Sequence, residues 1–341
     1  MTEFIAEYGM FLAKTVTIVL AVLLLIGGVI LLASRGREIG REHLEIKKIN
    51  ERYEEMAGTV KAAILSKEAF KKGLKAEKRQ KKVEAKQLKE GAAPERKRIF
   101  VINFDGDIKA SPLASLREEI TAILTVATPE DEVFLRLQSG GGLVHAYGLA
   151  ASQLMRIKER KIPLTICVDK IAASGGYMMA CVADRIIAAP FAIIGSIGVI
   201  AQLPNFHKLL KKHDIEFEQL TAGEFKRTIT MFGENTDKAR QKFQEELEDM
   251  HILFKEFIQQ HRPIVDINLI ATGEHWPASR ALEFKLVDEL KTSDDYLLEN
   301  SQSKELFEIC YSIKRPIGVR LGWFIQNTLE RIFHSSHLRL P

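Results

Sequence analysis

A chain of 341 residues with 46% hydrophobic and 28% charged side chains is long enough for one large domain or two modest ones around a sizeable core. Its three cysteines, Cys167, Cys181 and Cys310, are odd in number and lack metal-ligand spacing, which argues against a disulfide framework and a metal site, and without a phosphate-binding glycine loop nucleotide chemistry has no support. The net charge of +4 is uneven: residues 35–98 hold 20 basic against 11 acidic side chains with almost no aromatics between them, a pattern that speaks against nucleic-acid binding.

Residues 15–33, TVTIVLAVLLLIGGVILLA, are uncharged and apolar over nearly the ~20 residues a helix needs to cross a bilayer, and predict a single-pass anchor within residues 1–34. A cleaved signal peptide is the competing reading. Against it, the run exceeds the usual apolar core of about 7–15 residues, and Glu3 and Glu7 make the preceding region acidic. Arg35, Arg37 and Arg41 follow the span while only Lys14 precedes it, which by the positive-inside rule holds the rest in the cytoplasm. Long domains are translocated despite such charges, so the side stays open. Residues 35–98, rich in Lys, Glu, Ala and Gln, predict a charged stalk of one or two solvated helices, with a surface for anionic lipid headgroups as the alternative. EGAAPERKR, at 90–98, has the composition of a hinge.

From Ile99 the pattern changes. IFVINFDGDI predicts a strand, residues 113–127 an amphipathic helix, residues 132–138 a strand, residues 144–160 a helix and residues 163–169 a strand. This alternation argues for an α/β fold with a mostly parallel sheet, whose sites gather in loops after the strand ends. Two such loops are rich in glycine: Ser139-Gly140-Gly141-Gly142, and Ala173 to Gly176 around Ser174. At a strand-to-helix corner, a serine hydroxyl and the following amides can face the same way, which suits a nucleophile with an anion-stabilising pocket. A serine before glycine is also an ordinary helix cap, so the corner gains meaning only beside the other loop. Farther on, RIIAAP, AIIGSIGVIAQ and IEFEQL predict short strands with a helix at 205–212 before the last, and residues 237–260 and 277–290 predict helices. Lys226 lies among Phe225, Ile229, Met231 and Phe232: either a surface lysine, or one whose desolvation disfavours its charge until it can accept a proton. The tail, residues 301–341, contains the amphipathic stretch LGWFIQNTLERIF.

The motifs VDKIAASGGYMMACVAD, LQSGGGLVHAYGLAASQL, APFAIIGSIGV and AGEFKRT, with GENTDKARQKF and TGEHW, resemble the signal peptide peptidase A family of bacterial inner-membrane serine peptidases. The resemblance implies a ClpP/crotonase-like fold of repeated ββα units over residues 99–300, with the anchor and charged stalk before it. It makes Ser174 the nucleophile and Lys226 its base. It assigns the amides of Gly141 and Gly175 to the oxyanion, with Gly142 and Gly176 in support, and has Ser196 orient the lysine. It implies a peptide or protein substrate, such as signal peptide remnants or other membrane-proximal peptides, and neither cofactor nor metal. Relatives form ring-like homo-oligomers, in some of which the lysine reaches a neighbour's serine. Where the family often has proline this chain has Gly140, which leaves the first loop less pre-organised. A crotonase-like acyl-coenzyme A enzyme and a non-catalytic membrane scaffold are the alternatives.

Overall fold

The computed structural model describes residues 2–35, 41–89 and 97–314. Helix α1 (Thr2–Arg35) holds an 18-residue segment, Glu7–Leu24, that is apolar enough to cross a membrane and is not buried in the protein. It is the one such helix among the described residues, and it fits a single-pass anchor.

The stalk differs from its expectation. Residues expected to be helical begin as strand β1 (Arg41–Lys48), followed by α2 (Ile49–Ile64) and α3 (Lys67–Lys89). The reason lies in REHLEIKK, where Leu44 and Ile46 alternate with charged residues at the period of a strand. The start of α2 is fastened to the main domain. The Asn50 amide donates to the carbonyls of Ser301 and Lys304, both at 2.9 Å, and its oxygen accepts from the Leu306 N–H at 2.7 Å.

The described residues between 46 and 310 form one compact unit, and the described residues outside that range fall in another. In chain order the elements after the stalk are β2 (Arg98–Gly106), α4 (Leu113–Leu124), β3 (Glu132–Ser139), α5 (Val144–Glu159), β4 (Leu164–Val168), β5 (Ile171–Ala173) and α6 (Gly175–Ala180). Then follow β6 (Arg185–Ala188), β7 (Ile193–Gly195), α7 (His207–Lys212), α8 (Asp237–His261), α9 (Ile267–Ile270), β8 (His275–Pro277), α10 (Ala278–Glu283), β9 (Glu289–Leu290), α11 (Ser293–Asn300) and β10 (Glu305–Lys314). The sheet runs in the order β1-β10-β2-β3-β4-β6-β9, and the ladders from β10 to β9 are parallel. Strands β5, β7 and β8 branch off this path, with β5 pairing both β3 and β7.

A strand covered on both faces buries both sets of its alternating side chains, and β2 does so. Phe100, Ile102 and Phe104 join the core that includes Leu116 and Ile120 of α4 and Tyr147 and Leu154 of α5. Ile99 and Val101 face the other way with Phe134, Cys167, Leu306 and Leu297, where the Phe134 and Tyr296 rings stack at 4.8 Å.

Three further expectations are corrected. Residues 215–220, IEFEQL, form no strand: the segment alternates but lies exposed, with no partner strand to satisfy its backbone. The helix expected at 277–290 is limited to α10, because Lys285 adopts φ +60°, and the chain continues into β9. Strand β10 falls in the expected tail yet pairs with β2, Glu305 opposite Arg98. The amphipathic stretch after it lies outside the described residues, as does most of the expected hinge.

Candidate active site

Strand β5 ends at Ala173, and the next residue, Ser174, holds φ +51° and ψ −119°. Such a conformation costs a non-glycine residue on the order of 1–3 kcal/mol and persists only where its surroundings hold it. Here the Ser174 N–H donates to the Gly195 carbonyl at 2.8 Å, and its carbonyl accepts from the Met178 N–H at 2.9 Å. The corner is thereby tied to β7 behind it and to α6 in front.

The loop after β3 meets this corner without space for a side chain. A Cβ on Gly141, whose φ is +87°, would lie 2.7 Å from the Gly175 nitrogen and 2.8 Å from Ser174 Cβ. A Cβ on Gly175 would enter the Tyr147 ring at 2.5 Å, and one on Gly176 would meet the Ser139 carbonyl oxygen at 2.5 Å. On its far side the loop rests on the turn after β2, where a Cβ at Gly142 would lie 2.1 Å from the Ile108 oxygen. The two glycine corners singled out in the sequence are therefore in direct contact.

Their amides are not equivalent. The Gly141 N–H, expected at the oxyanion, donates to Ser139 Oγ at 3.0 Å. Gly142 instead lines the cleft together with Ser174 and Gly175. Neither the Gly142 N–H nor the Gly175 N–H has an acceptor among the described residues.

Ser196 stands beside Ser174. Ala173 is opposite Gly195 in the β5–β7 ladder, so Ser174 and Ser196 follow directly after paired strand ends. Ser196 also has a positive φ, +52°, and its N–H donates to the Glu274 carbonyl at 2.6 Å.

Lys226 is elsewhere. It is exposed, and it lines a shallow cleft with Leu203, Phe217, Leu220 and Met231 that does not include Ser174. The expected burial of this lysine in apolar company is absent within one chain. Phe225 is turned to other cations, with Lys238 and Lys242 over its ring at 5.8 and 5.6 Å.

The cleft at Ser174 has a volume of about 380 Å³. Its walls are apolar, from Met178, Val199 and Ile200 on one side and Leu253, Phe254 and Phe257 of α8 on another. No lysine, histidine, aspartate or glutamate lines it. Two residues that the sequence reading did not single out complete the setting: Tyr147, wholly buried, and Ser139, which stands at the end of β3 and is 1% exposed. Burial raises the Tyr147 phenol above its ordinary range, so it remains a neutral donor. The sequence signal for Tyr147 was its place in the helix that follows the glycine loop.

Residues 3–154 match the model of the peptidase family S49 N-terminal region, and residues 156–306 match that of peptidase family S49 itself. The chain belongs to peptidase family S49. This S49 chain is 48% identical over 341 residues to the probable protease SohB of Haemophilus influenzae, across 98% of this chain and 96% of that protein. It is 46% identical over 303 residues to the probable protease SohB of Buchnera aphidicola subsp. Schlechtendalia chinensis, across 87% of this chain and 99% of that one. A solved membrane-bound stomatin-specific protease matches 60% of this chain and 85% of its own, with a TM-score of 0.40 and 17% identity. The chain is a SohB-type S49 peptidase, with the first glycine loop in the N-terminal match and Ser174 in the second.

Proposed function

We propose that this S49 peptidase is a membrane-anchored serine endopeptidase in which Ser174 attacks the carbonyl carbon of an extended peptide. The observation that carries the reading is Ser174 itself, held at φ +51° beside two amides without acceptors at the end of an apolar cleft. A neutral lysine takes the hydroxyl proton as the C–O bond forms. The N–H groups of Gly142 and Gly175 receive the negative charge on the former carbonyl oxygen, a role in which one donor is worth about 10²–10³ in rate. As the C–N bond breaks, the lysine returns its proton to the leaving amine, and water then releases the acyl group by the same steps reversed in role. Neither cofactor nor metal takes part.

Lys226 supplies the base from a neighbouring copy of the chain. Two features support this: no base lines the cleft around Ser174 among the described residues, and the segment carrying Lys226 exposes apolar side chains, Leu220 at 96% and Phe225 at 43% among them. Covering that surface with a second copy in a ring-like homo-oligomer also removes Lys226 from water, which favours its neutral form. Ser196, beside the nucleophile, accepts and orients the ammonium.

The units β4–β5–α6 and β6–β7, each with one strand in the main sheet and one off it, support a ClpP/crotonase-like reading of the fold. The apolar cleft suits peptides with apolar side chains, among them signal peptide remnants and other membrane-proximal segments at the bacterial inner membrane. The test is peptide hydrolysis by Ser174→Ala and by Lys226→Ala, alone and assembled together. Each variant alone is expected to be inactive, and the mixed oligomer to regain part of the activity, because some sites pair an intact serine with a neighbour's intact lysine. Wild-type rates for Ser174→Ala would refute the assignment, and a mixed oligomer as inactive as its parents would place the lysine in the same chain.

A further inference from the structure

We infer that Tyr147 is the positioning residue that sets the spacing of the two oxyanion amides, acting through Ser139 on one side and through its ring on the other. The inference rests on the peptidase reading above.

The Tyr147 hydroxyl donates to the Asp107 carbonyl at 2.7 Å. The same hydroxyl lies 2.5 Å from Ser139 Oγ, a contact in which either oxygen can be the donor. Ser139 Oγ in turn accepts the Gly141 N–H at 3.0 Å. The result is a connected chain, Gly141 N–H to Ser139 to Tyr147 to the Asp107 carbonyl. It links the loop after β3 to the turn after β2. By occupying the amide of Gly141 it leaves that of Gly142, the next residue, without an acceptor on the cleft side.

The same tyrosine bears on the second amide. Its ring lies where a Gly175 Cβ would be, with Tyr147 Cγ 2.5 Å from that position, and its edge meets Phe104 with ring centres 6.3 Å apart. The Ser139 carbonyl is equally close to Gly176. Tyr147 and Ser139 therefore touch both loops. The arrangement has a chemical purpose: Gly140 to Gly142 is three glycines in succession, a segment with a large backbone entropy, and a peptide carbonyl gains from these donors only if they are in place before charge develops.

Tyr147→Phe keeps the ring and removes the hydroxyl. Ser139 retains an acceptor, since the Gly106 carbonyl lies 3.2 Å from its Oγ, but the link to Asp107 is lost. The expected result is a fall in kcat of about tenfold per Ser174 labelled by a fluorophosphonate, with KM within about twofold, because the amides act on the transition state more than on bound substrate. A peptide aldehyde, which forms the tetrahedral adduct, should bind about tenfold more weakly. Ser139→Ala, which removes the acceptor of the Gly141 N–H, should act in the same direction and serves if the phenylalanine variant fails to fold.

Rescue separates positioning from mere stability. Gly140 has room for a proline Cβ, whose nearest neighbour would be Ile171 Cδ1 at 3.8 Å, and Ser139 before it is extended. Gly140→Pro, by stiffening the loop, is expected to restore kcat at least threefold in the Tyr147→Phe background. The inference is overturned if Tyr147→Phe keeps kcat within twofold of wild type, if aldehyde and substrate binding weaken equally, or if the proline restores nothing. Ser174→Ala distinguishes the two levels: activity in that variant overturns the peptidase reading, whereas an inactive Ser174→Ala beside a fully active Tyr147→Phe overturns only the role of Tyr147.

Discussion

Replacing Gly141 by alanine tests the contact between the two glycine corners. The new methyl group would sit 2.7 Å from the Gly175 nitrogen, 2.8 Å from the Ala173 oxygen and 2.8 Å from Ser174 Cβ, and two of these three are backbone atoms that cannot rotate away. Holding alanine at φ +87° adds a conformational cost of roughly 1–2 kcal/mol, and relieving the overlap costs about 1–3 kcal/mol more in shifted backbone. A loss of about 2–5 kcal/mol in stability follows, which at about 2 °C or more per kcal/mol lowers the melting temperature by roughly 5–10 °C. The shift must move the Gly175 amide or the Gly142 amide, so kcat for peptide hydrolysis should fall by up to about 10² even in the folded fraction, counted by fluorophosphonate labelling. Thermal denaturation in detergent and steady-state kinetics on the same preparation read both effects. An alanine variant that melted like the wild type and kept kcat within threefold would show that the loops do not touch.

Gly58, on α2, is the opposite case: nothing lies within 4 Å of its Cβ position, so Gly58→Ala should stabilise the chain by about 0.5–1 kcal/mol in chemical denaturation and leave activity unchanged. Arg262, 5% exposed, pairs with Asp288 at 2.7 Å and donates its Nε to the Lys285 carbonyl at 2.7 Å; because Asp288 is itself within reach of solvent, Arg262→Ala should cost about 1–3 kcal/mol by denaturant titration. His261 packs on Phe257 with ring centres 4.4 Å apart and its buried Nε2 lacks a partner; burial first, and then the Lys158 cation, lowers its pKa. The unfolded chain therefore binds the proton more readily, so stability is full above the unfolded value of about 6.5 and declines as pH falls below it toward the folded value. His261→Gln should flatten that part of the melting-temperature profile between pH 7 and 5, and an unchanged profile would assign the titration to another group.

The parts of the fold that the sequence makes legible are those whose cause is local. Gly141, Gly142, Gly175 and Gly176 are demanded by atoms that a side chain would overlap, and the strands from β2 to β4 carry their burial in their own composition. Strand β10 is not legible in ELFEICYSIK, where Leu306 and Ile309 are buried three residues apart in different clusters and the partner strand, β2, lies some two hundred residues earlier in the chain. The alternation in IEFEQL has the opposite lesson. A period of two marks a segment with two different faces, and only a neighbouring strand turns it into part of a sheet.

Lys226 shows where this limit matters for function. Its apolar neighbours in the sequence were a fair sign of a desolvated lysine, yet in the single chain Phe225 and Phe232 remain more than 40% exposed, and the lysine is solvated with them. A pattern unmet in the isolated chain is what the proposed shared active site would leave in a sequence, and under that proposal the exposed apolar arm and the cleft meet across a subunit contact. The mixed-oligomer experiment addresses it directly, since two inactive chains can complement each other only if the serine of one meets the lysine of the next.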